Sequence, residues 1–153
     1  VSSGLAINPD FAPTFLELAG APIPPEMQGR SLVPLFAGGV PSGWRQEIYY
    51  RYYHDPGHHD TRAHYGVRSD THKLIHFWKS GQWEFYDLVK DPDEMKNLYS
   101  DPGSQAIVAD LKARMERLKT ELGDTDQFTS GLPRDTVDAR PRQMDRKHPD
   151  SQL

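Results

Sequence analysis

His64-Tyr-Gly-Val-Arg-Ser-Asp-Thr-His-Lys-Leu-Ile-His76, followed by Trp83-Glu-Phe-Tyr-Asp-Leu-Val-Lys-Asp-Pro-Asp-Glu94, decides the fold. Tyr65 to Arg68 reads as a strand, Ser69-Asp-Thr-His72 as a tight polar turn, and Lys73 to Trp78 as the returning strand of a hairpin. Ser80-Gly81 makes another turn before a strand over Trp83 to Leu88, which Asp91-Pro92 closes. Upstream, from Glu47, the pattern has a period of two: Ile48, Tyr50 and Tyr52 face one way, while Tyr49, Arg51 and Tyr53 face the other. The spacing predicts a four-stranded, mainly antiparallel sheet, and aromatics on both faces predict cover on both sides.

Ser104 is placed to cap a long helix whose apolar stripe is Ile107, Val108, Leu111, Met115, Leu118 and Leu122, with Gly123 to end it. That stripe is the natural cover for one face of the sheet, which makes the fold class α+β. Ahead of the sheet lie two short helices. Asn8 or Asp10 caps the first, Pro13 suits its first turn, and Gly20 follows it. After a Pro-rich connector, Ser31 caps the second, through Leu32, Leu35 and Phe36. Both are too short and too apolar to stand alone and are expected to pack on something else. Pro41 to Arg45 reads as a linker, and the residues beyond Asp124 as an extended or disordered tail.

With 153 residues there is room for about one domain. A net charge of −4 and the lack of a Lys/Arg-rich block argue against nucleic acid as a partner. No apolar run approaches the ~18 residues of a membrane span, so no membrane partner is expected either. There is no Cys, hence no disulfide, thiolate metal site or cysteine nucleophile in the chain. Val1 reads as a cut end and not as a native start.

The order of motifs carries more than any one of them. Asp10-Phe-Ala-Pro-Thr-Phe-Leu-Glu-Leu-Ala-Gly20, Gln28-Gly-Arg-Ser-Leu32, the aromatic strand, His64-Tyr-Gly-Val-Arg68, Lys73-Leu-Ile75 and Tyr86-Asp-Leu-x-x-Asp-Pro-x-Glu-x-x-Asn-Leu98 lead into the long helix. Over residues 5–123 this resembles the C-terminal portion of type I, formylglycine-dependent sulfatases. It is most similar to the branch acting on sulfated sugars, with N-sulfoglucosamine and N-acetylglucosamine-6-sulfate enzymes in it. The resemblance implies that residues 1–40 are the tail end of an alkaline-phosphatase-like catalytic α/β domain that is mostly absent. Residues 41–124 would then be the C-terminal subdomain and residues 125–153 a tail. It also implies a parent that uses Ca²⁺ and a formylglycine, with a periplasmic, extracellular or lysosomal location. The Cys/Ser-x-Pro-x-Arg nucleophile motif and the Asp/Asn metal motifs are not in this sequence. Catalytic and metal-binding residues are therefore expected to be none, with no cofactor held by this chain and the N-terminal catalytic domain as its partner.

The same resemblance implies a subdomain that closes one side of the pocket and touches the sugar. The loop after the first strand is the place to look, since loops on a rigid sheet carry recognition. It holds His54, His58, His59, Asp60, Arg62 and His64, with Arg68 on the adjoining strand. His59, His64, Arg62 and Arg68 are the candidate substrate-binding residues, as donors to the hydroxyls and charges of a sulfated carbohydrate. Each has a plainer reading: a solvated polar loop for the histidines, and an ion pair of Arg68 with Asp60, Asp70 or Glu47. A metal held by these histidines is a further reading, weakened by the lack of an i, i+4 helical pair or any Cys.

The aromatic group is expected to be mostly core, with Trp78 the best candidate to stack on a sugar ring. Glu84 and Asp87, three apart on a strand, face opposite sides and do not make a catalytic pair. Thr14 and Ser31 read as capping groups, not nucleophiles. Two functions of other kinds stand beside the sulfatase reading: a free-standing sugar-binding or assembly module, and a phosphate or phosphonate ester hydrolase of the same superfamily. The two short helices favour a piece of a larger enzyme, because alone they expose apolar faces. Self-association into a homo-oligomer is expected where that cover is missing.

Overall fold

The computed structural model describes residues 1–55, 61–127 and 129. Four strands form one sheet in the order β1-β2-β3-β4: β1 is Glu47–Tyr52, β2 His64–Ser69, β3 His72–Phe77 and β4 Gln82–Asp87. All three pairings are antiparallel. The register sets Tyr49 opposite Val67, Val67 opposite Leu74, and Leu74 opposite Phe85, so these four side chains share one face. Tyr50, Gly66, Ile75 and Glu84 make the equivalent row on the other face.

The helix α2, Gln105–Glu121, covers the first face. Val108, Leu111 and Met115 are buried against Tyr65, Val67, Leu74 and Phe85. Burying each of the three stabilises by roughly 1.5–3 kcal/mol. The expected stripe is wider than the buried one, since Ile107 and Leu122 are both 38% exposed at its two ends. Ser104 stands at the N-cap position, yet its hydroxyl donates to Asp101 Oδ2 (2.8 Å) and not into the helix. Gly123 ends the helix with φ +68°, a conformation that disfavours any side chain.

The run from Tyr86 to Leu98 is polar because its side chains replace backbone partners. Asp87 accepts the N–H groups of Val89 (3.2 Å) and Lys90 (3.1 Å), and Asp91 those of Met95 (3.1 Å) and Lys96 (2.8 Å). Asn97 then seals the exposed edge of β4: its Oδ1 accepts from Phe85 N–H (3.0 Å) and Tyr99 N–H (2.9 Å), while its Nδ2 donates to the Trp83 carbonyl (3.0 Å). An edge strand blocked this way cannot template further pairing. Glu94, at φ +54°, reaches back to Lys73 Nζ at 2.5 Å.

The N-terminal part holds α1, Phe11–Leu18, and in place of the expected second helix a single 3₁₀ turn, Val33–Leu35. The N-cap of that turn is Leu32 and not the expected Ser31, whose hydroxyl accepts Val33 N–H (3.2 Å) in a local two-residue contact. Asp10 is fully buried but does not cap α1 with its carboxylate. Instead it accepts Ile7 N–H and Arg30 N–H, each at 2.8 Å, and both ends of the Arg45 guanidinium at 2.5 and 2.7 Å. Thr14 Oγ1 donates to the Asp10 carbonyl (2.6 Å) and accepts Leu32 N–H (2.8 Å), so the hydroxyl is used by the backbone. Gly29 passes so close to Pro9 that a Cβ would sit 2.0 Å from the Pro9 carbonyl oxygen. Phe11, Phe15, Leu18 and Phe36 are exposed, with Phe11 and Phe15 stacked on each other. The expectation of apolar faces without cover is met here.

Candidate functional site

The described ends of the β1–β2 connection, residues 53–55 and 61–63, and the outer face of the sheet beside them form the candidate site. His64, at the start of β2, points to the outer face, where its ring lies 5.7 Å from Tyr52, 5.8 Å from Tyr50 and 5.5 Å from Phe77. Its Nδ1 is 2.7 Å from the Arg62 carbonyl oxygen. That carbonyl can only accept, so Nδ1 carries the proton and Nε2 is left as the second ring nitrogen. Aromatic packing thus fixes this imidazole as part of a half-buried wall. Arg62 extends from the loop with its side chain 71% exposed, 3.5 Å from Asp55 Oδ1, while Lys79 from the β3–β4 turn lies 3.4 Å from Asp55 Oδ2. Asp55 therefore gathers two cations at one corner of the sheet. It was not among the expected site residues, although its place just before Pro56-Gly57 in a cationic loop is a legible signal.

Arg68 lies on the same face as His64 but four residues along β2, about 13 Å away at ~3.3 Å per strand residue. The fold therefore brings His64 and Arg62 together and leaves Arg68 apart. Glu47, an expected partner of Arg68, turns to the helix face and pairs there with Arg114 (3.5 Å) and Arg117. His58, His59 and Asp60 lie outside the described residues. Among the described residues no group of three or more metal-ligating side chains comes together.

Trp78 is not an open platform. It packs on the helix side against Arg51, whose guanidinium carbon is 4.6 Å from the indole ring, 4.9 Å from Tyr53 and 5.0 Å from Tyr65. The Arg51 side chain is only 4% exposed and donates to Asp124 (2.6 and 2.7 Å) and Asp126 (2.7 Å). Tyr49 Oη donates to Asp124 at 2.6 Å, and Lys119 holds Asp126 at 2.7 Å. Burial works to raise the Asp124 carboxyl, but the bonds from Arg51 and Tyr49 outweigh it and hold the group below its ordinary value. Burial, helped by the Asp124 charge, pushes the Tyr49 phenol well up. This knot clamps the chain leaving α2 onto β1. Sequence reading missed it because its partners are 73 residues apart.

Glu84 and Asp87 face opposite sides, as their spacing requires. Glu84 accepts from Tyr86 Oη (3.0 Å); burial and this bond raise the Tyr86 phenol to about 12. Asp87 is occupied by Lys90 (2.9 Å). A cleft of about 400 Å³ between the β2–β3 turn and α2 is lined by Ser69, His72, Ile107 and Arg114. Its charges are already paired, Arg114 with Asp110 (2.8 Å) and Glu47, so it offers a ligand little. Neither a nucleophile motif nor a carboxylate cluster in the described residues fits a formylglycine or a Ca²⁺ ion. No chemical step is assigned to this chain.

A four-stranded antiparallel sheet with one covering helix, a β4 edge sealed by Asn97 and an exposed apolar N-terminal face defines an α+β unit. The chain belongs to the N-sulphoglucosamine sulphohydrolase C-terminal family, whose model matches residues 1–121. It is 39% identical over 128 residues to an N-acetylglucosamine-6-O-sulfatase of Bacteroides thetaiotaomicron, covering 82% of this chain and 23% of that protein. It is 33% identical over 121 residues to a multifunctional alkaline phosphatase superfamily protein of Trinickia caryophylli, covering 72% of this chain and 23% of the relative. Among solved structures, one in complex with its substrate D-glucosamine-2-N,6-O-disulfate superposes with a TM-score of 0.79 at 38% identity, over 85% of this chain and 27% of that one. The chain thus spans under a quarter of the length of these two curated relatives.

Proposed function

We propose that this chain is the substrate-side C-terminal part of a sulfatase that removes sulfate from a sulfated sugar, with the β1–β2 loop forming one wall of the pocket. The observation that carries this reading is the likeness, at 38% identity, to a structure bound to a glucosamine disulfate. Residues 1–40 are the end of the catalytic α/β domain, whose surface covers Phe11, Phe15, Leu18 and Phe36; residues 41–124 are the subdomain and 125–153 a tail. The parent supplies the formylglycine and the Ca²⁺ site from elsewhere and works in the periplasm, the extracellular space or a lysosome.

In the pocket wall, Arg62 supplies a mobile cation for a sulfate or carboxylate of the sugar, with Asp55 holding it near the corner. His64 offers Nε2 from a fixed ring, and His59 is assigned to the same subsite. Arg68, farther along β2, contacts a neighbouring sugar unit if the substrate is longer than one residue. The test is steady-state kinetics of the parent enzyme on a sulfated glucosamine. Arg62→Ala and His59→Ala each raise KM about tenfold or more, the loss of one charge-assisted hydrogen bond. Unchanged KM and turnover in Arg62→Ala, His59→Ala and His64→Ala overturns the subsite.

A second reading has one observation in its favour, the relative from the alkaline phosphatase superfamily. It replaces the sulfate ester by a phosphate or phosphonate ester. Parallel assays of the parent with sulfate and phosphonate esters of the same alcohol separate the two.

A further inference from the structure

Residues 1–43 and the sheet domain are each tied together internally, and the ties between them converge on two adjacent residues. Within the first part, Ser2 Oγ donates to the Gly39 carbonyl (2.7 Å), Thr14 accepts Leu32 N–H (2.8 Å), and the Arg30 side chain donates to the Gly43 carbonyl (3.1 Å). Among the described residues, every hydrogen bond and ion pair that joins residues 1–42 to residue 44 or beyond ends on Trp44 or Arg45. Trp44 Nε1 donates to the Leu5 carbonyl (3.0 Å), and Gly4 lies so close that a Cβ there would meet the indole at 3.1 Å. Arg45 forms the bidentate pair with Asp10, its side chain 9% exposed and Asp10 fully buried, and its guanidinium also lies 5.3 Å from the Trp44 ring. Arg45 stands two residues before β1.

We propose that the Asp10–Arg45 pair is the joint that fixes the angle between the N-terminal helical part and the substrate-side sheet. A bidentate guanidinium–carboxylate pair suits such a joint, because two parallel bonds define a plane, whereas a lysine would define only a point. The Arg30 and Ile7 N–H groups hold the carboxylate so that it cannot follow a displaced Arg45. Burial alone would raise the Asp10 carboxyl, but the Arg45 bonds and these N–H groups together lower it, so the pair stays ionised at neutral pH. Resting on the pocket-wall reading, Asp10 and Arg45 are positioning residues: they place the β1–β2 loop over the catalytic centre without touching substrate.

The chain has no cysteine, so paired spin labels can be placed cleanly at Glu17→Cys on α1 and Ala113→Cys on α2, both exposed. Electron–electron double resonance at spin dilution then reads the distance between the two parts. The expected result is one narrow distribution with Arg45 present and at least a doubled width in Arg45→Met, with Arg45→Lys in between. A distribution equally narrow in Arg45→Met overturns the joint. The second arm is the parent enzyme with Arg45→Lys: kcat/KM for the sulfated sugar falls about ten- to a hundredfold, mostly through KM, as misplacement of a binding wall predicts. A loss confined to kcat, or to the amount of folded enzyme, overturns the positioning role. If the parent shows no sulfatase activity at all, the pocket reading fails while the distance measurement still decides the joint.

Discussion

Replacing Arg51 by Met tests the reasoning about the knot behind β1. Methionine keeps most of the volume of the arginine stem, so the aromatic walls of Tyr53, Tyr65 and Trp78 lose the cation but not the filling. What remains is Asp124, its side chain only 9% exposed, with Tyr49 Oη as its one other side-chain hydrogen-bond partner among the described residues. Removing one member of a buried pair costs about 3–5 kcal/mol, because a charge is left uncompensated. Asp126 keeps Lys119 and is nearly half exposed, so its share is small. The net expectation is a loss of about 3 kcal/mol, which at ~1.5 kcal/mol per M of urea moves the midpoint down by about 2 M. Trp78, in contact with the guanidinium, gives the fluorescence signal. Arg51→Met with Asp124→Leu should recover most of the loss, since an apolar pair of similar volume matches or exceeds a buried ion pair. A single variant that loses under about 1 kcal/mol, or a double variant no better than the single, refutes the reasoning.

Two further predictions concern the sheet. Gly66→Ala places a Cβ 2.5 Å from the Leu74 carbonyl oxygen and 2.7 Å from Tyr50 Oη, so the variant should melt lower by the ~1–3 kcal/mol of overpacking; an unchanged melting temperature contradicts the close crossing of Tyr50 over Gly66. His76 stacks on Trp83 (3.9 Å) and bonds through Nδ1 to Tyr65 Oη (2.9 Å); burial first, and the nearby Lys112 charge second, lower its pKa below 6.5. The unfolded chain therefore takes up the proton before the folded one. The stability that His76 contributes is full above pH 6.5 and falls as the pH drops through that value, by at most about 1.4 kcal/mol per pH unit. His76→Gln should flatten stability against pH in this range, as measured by urea midpoints, and an unaltered slope assigns the proton elsewhere.

Local rules carried the sheet because its contacts are local in sequence. β2, β3 and β4 are joined by short turns, and each alternates so regularly that one register puts Val67, Leu74 and Phe85 on the covered face. Each of these three strands begins one residue earlier than the sequence pattern indicates and β3 and β4 end one residue earlier, since the pattern marks side-chain alternation and not the last backbone bond. The helix stripe over-reached at both ends because periodicity counts apolar residues without knowing how far the sheet beneath extends. Trp78 shows the opposite error. Its place at a strand end suggested an open ring, but a buried Arg51 recruits its face.

By itself the sequence determined the strand count, the β2–β3 hairpin and the covering helix, which follow from period and turn chemistry, and the order of its motifs carried the resemblance to a sulfatase C-terminal family; the place of β1 beside β2 came from the tertiary structure. Tertiary structure alone decided which polar residues are spent on the fold. Asp10 reads as a helix cap and is instead the anchor of Arg45, 35 residues away; Arg51 reads as a strand cation and is instead the partner of Asp124, 73 residues away. It also separated Arg68 from His64 and set Asp55 beside Arg62. The physical reason is range. Hydrophobic period and turn propensity act over a few residues, whereas a charge is satisfied by whichever opposite charge the folded chain brings near it, and sequence distance does not enter that choice.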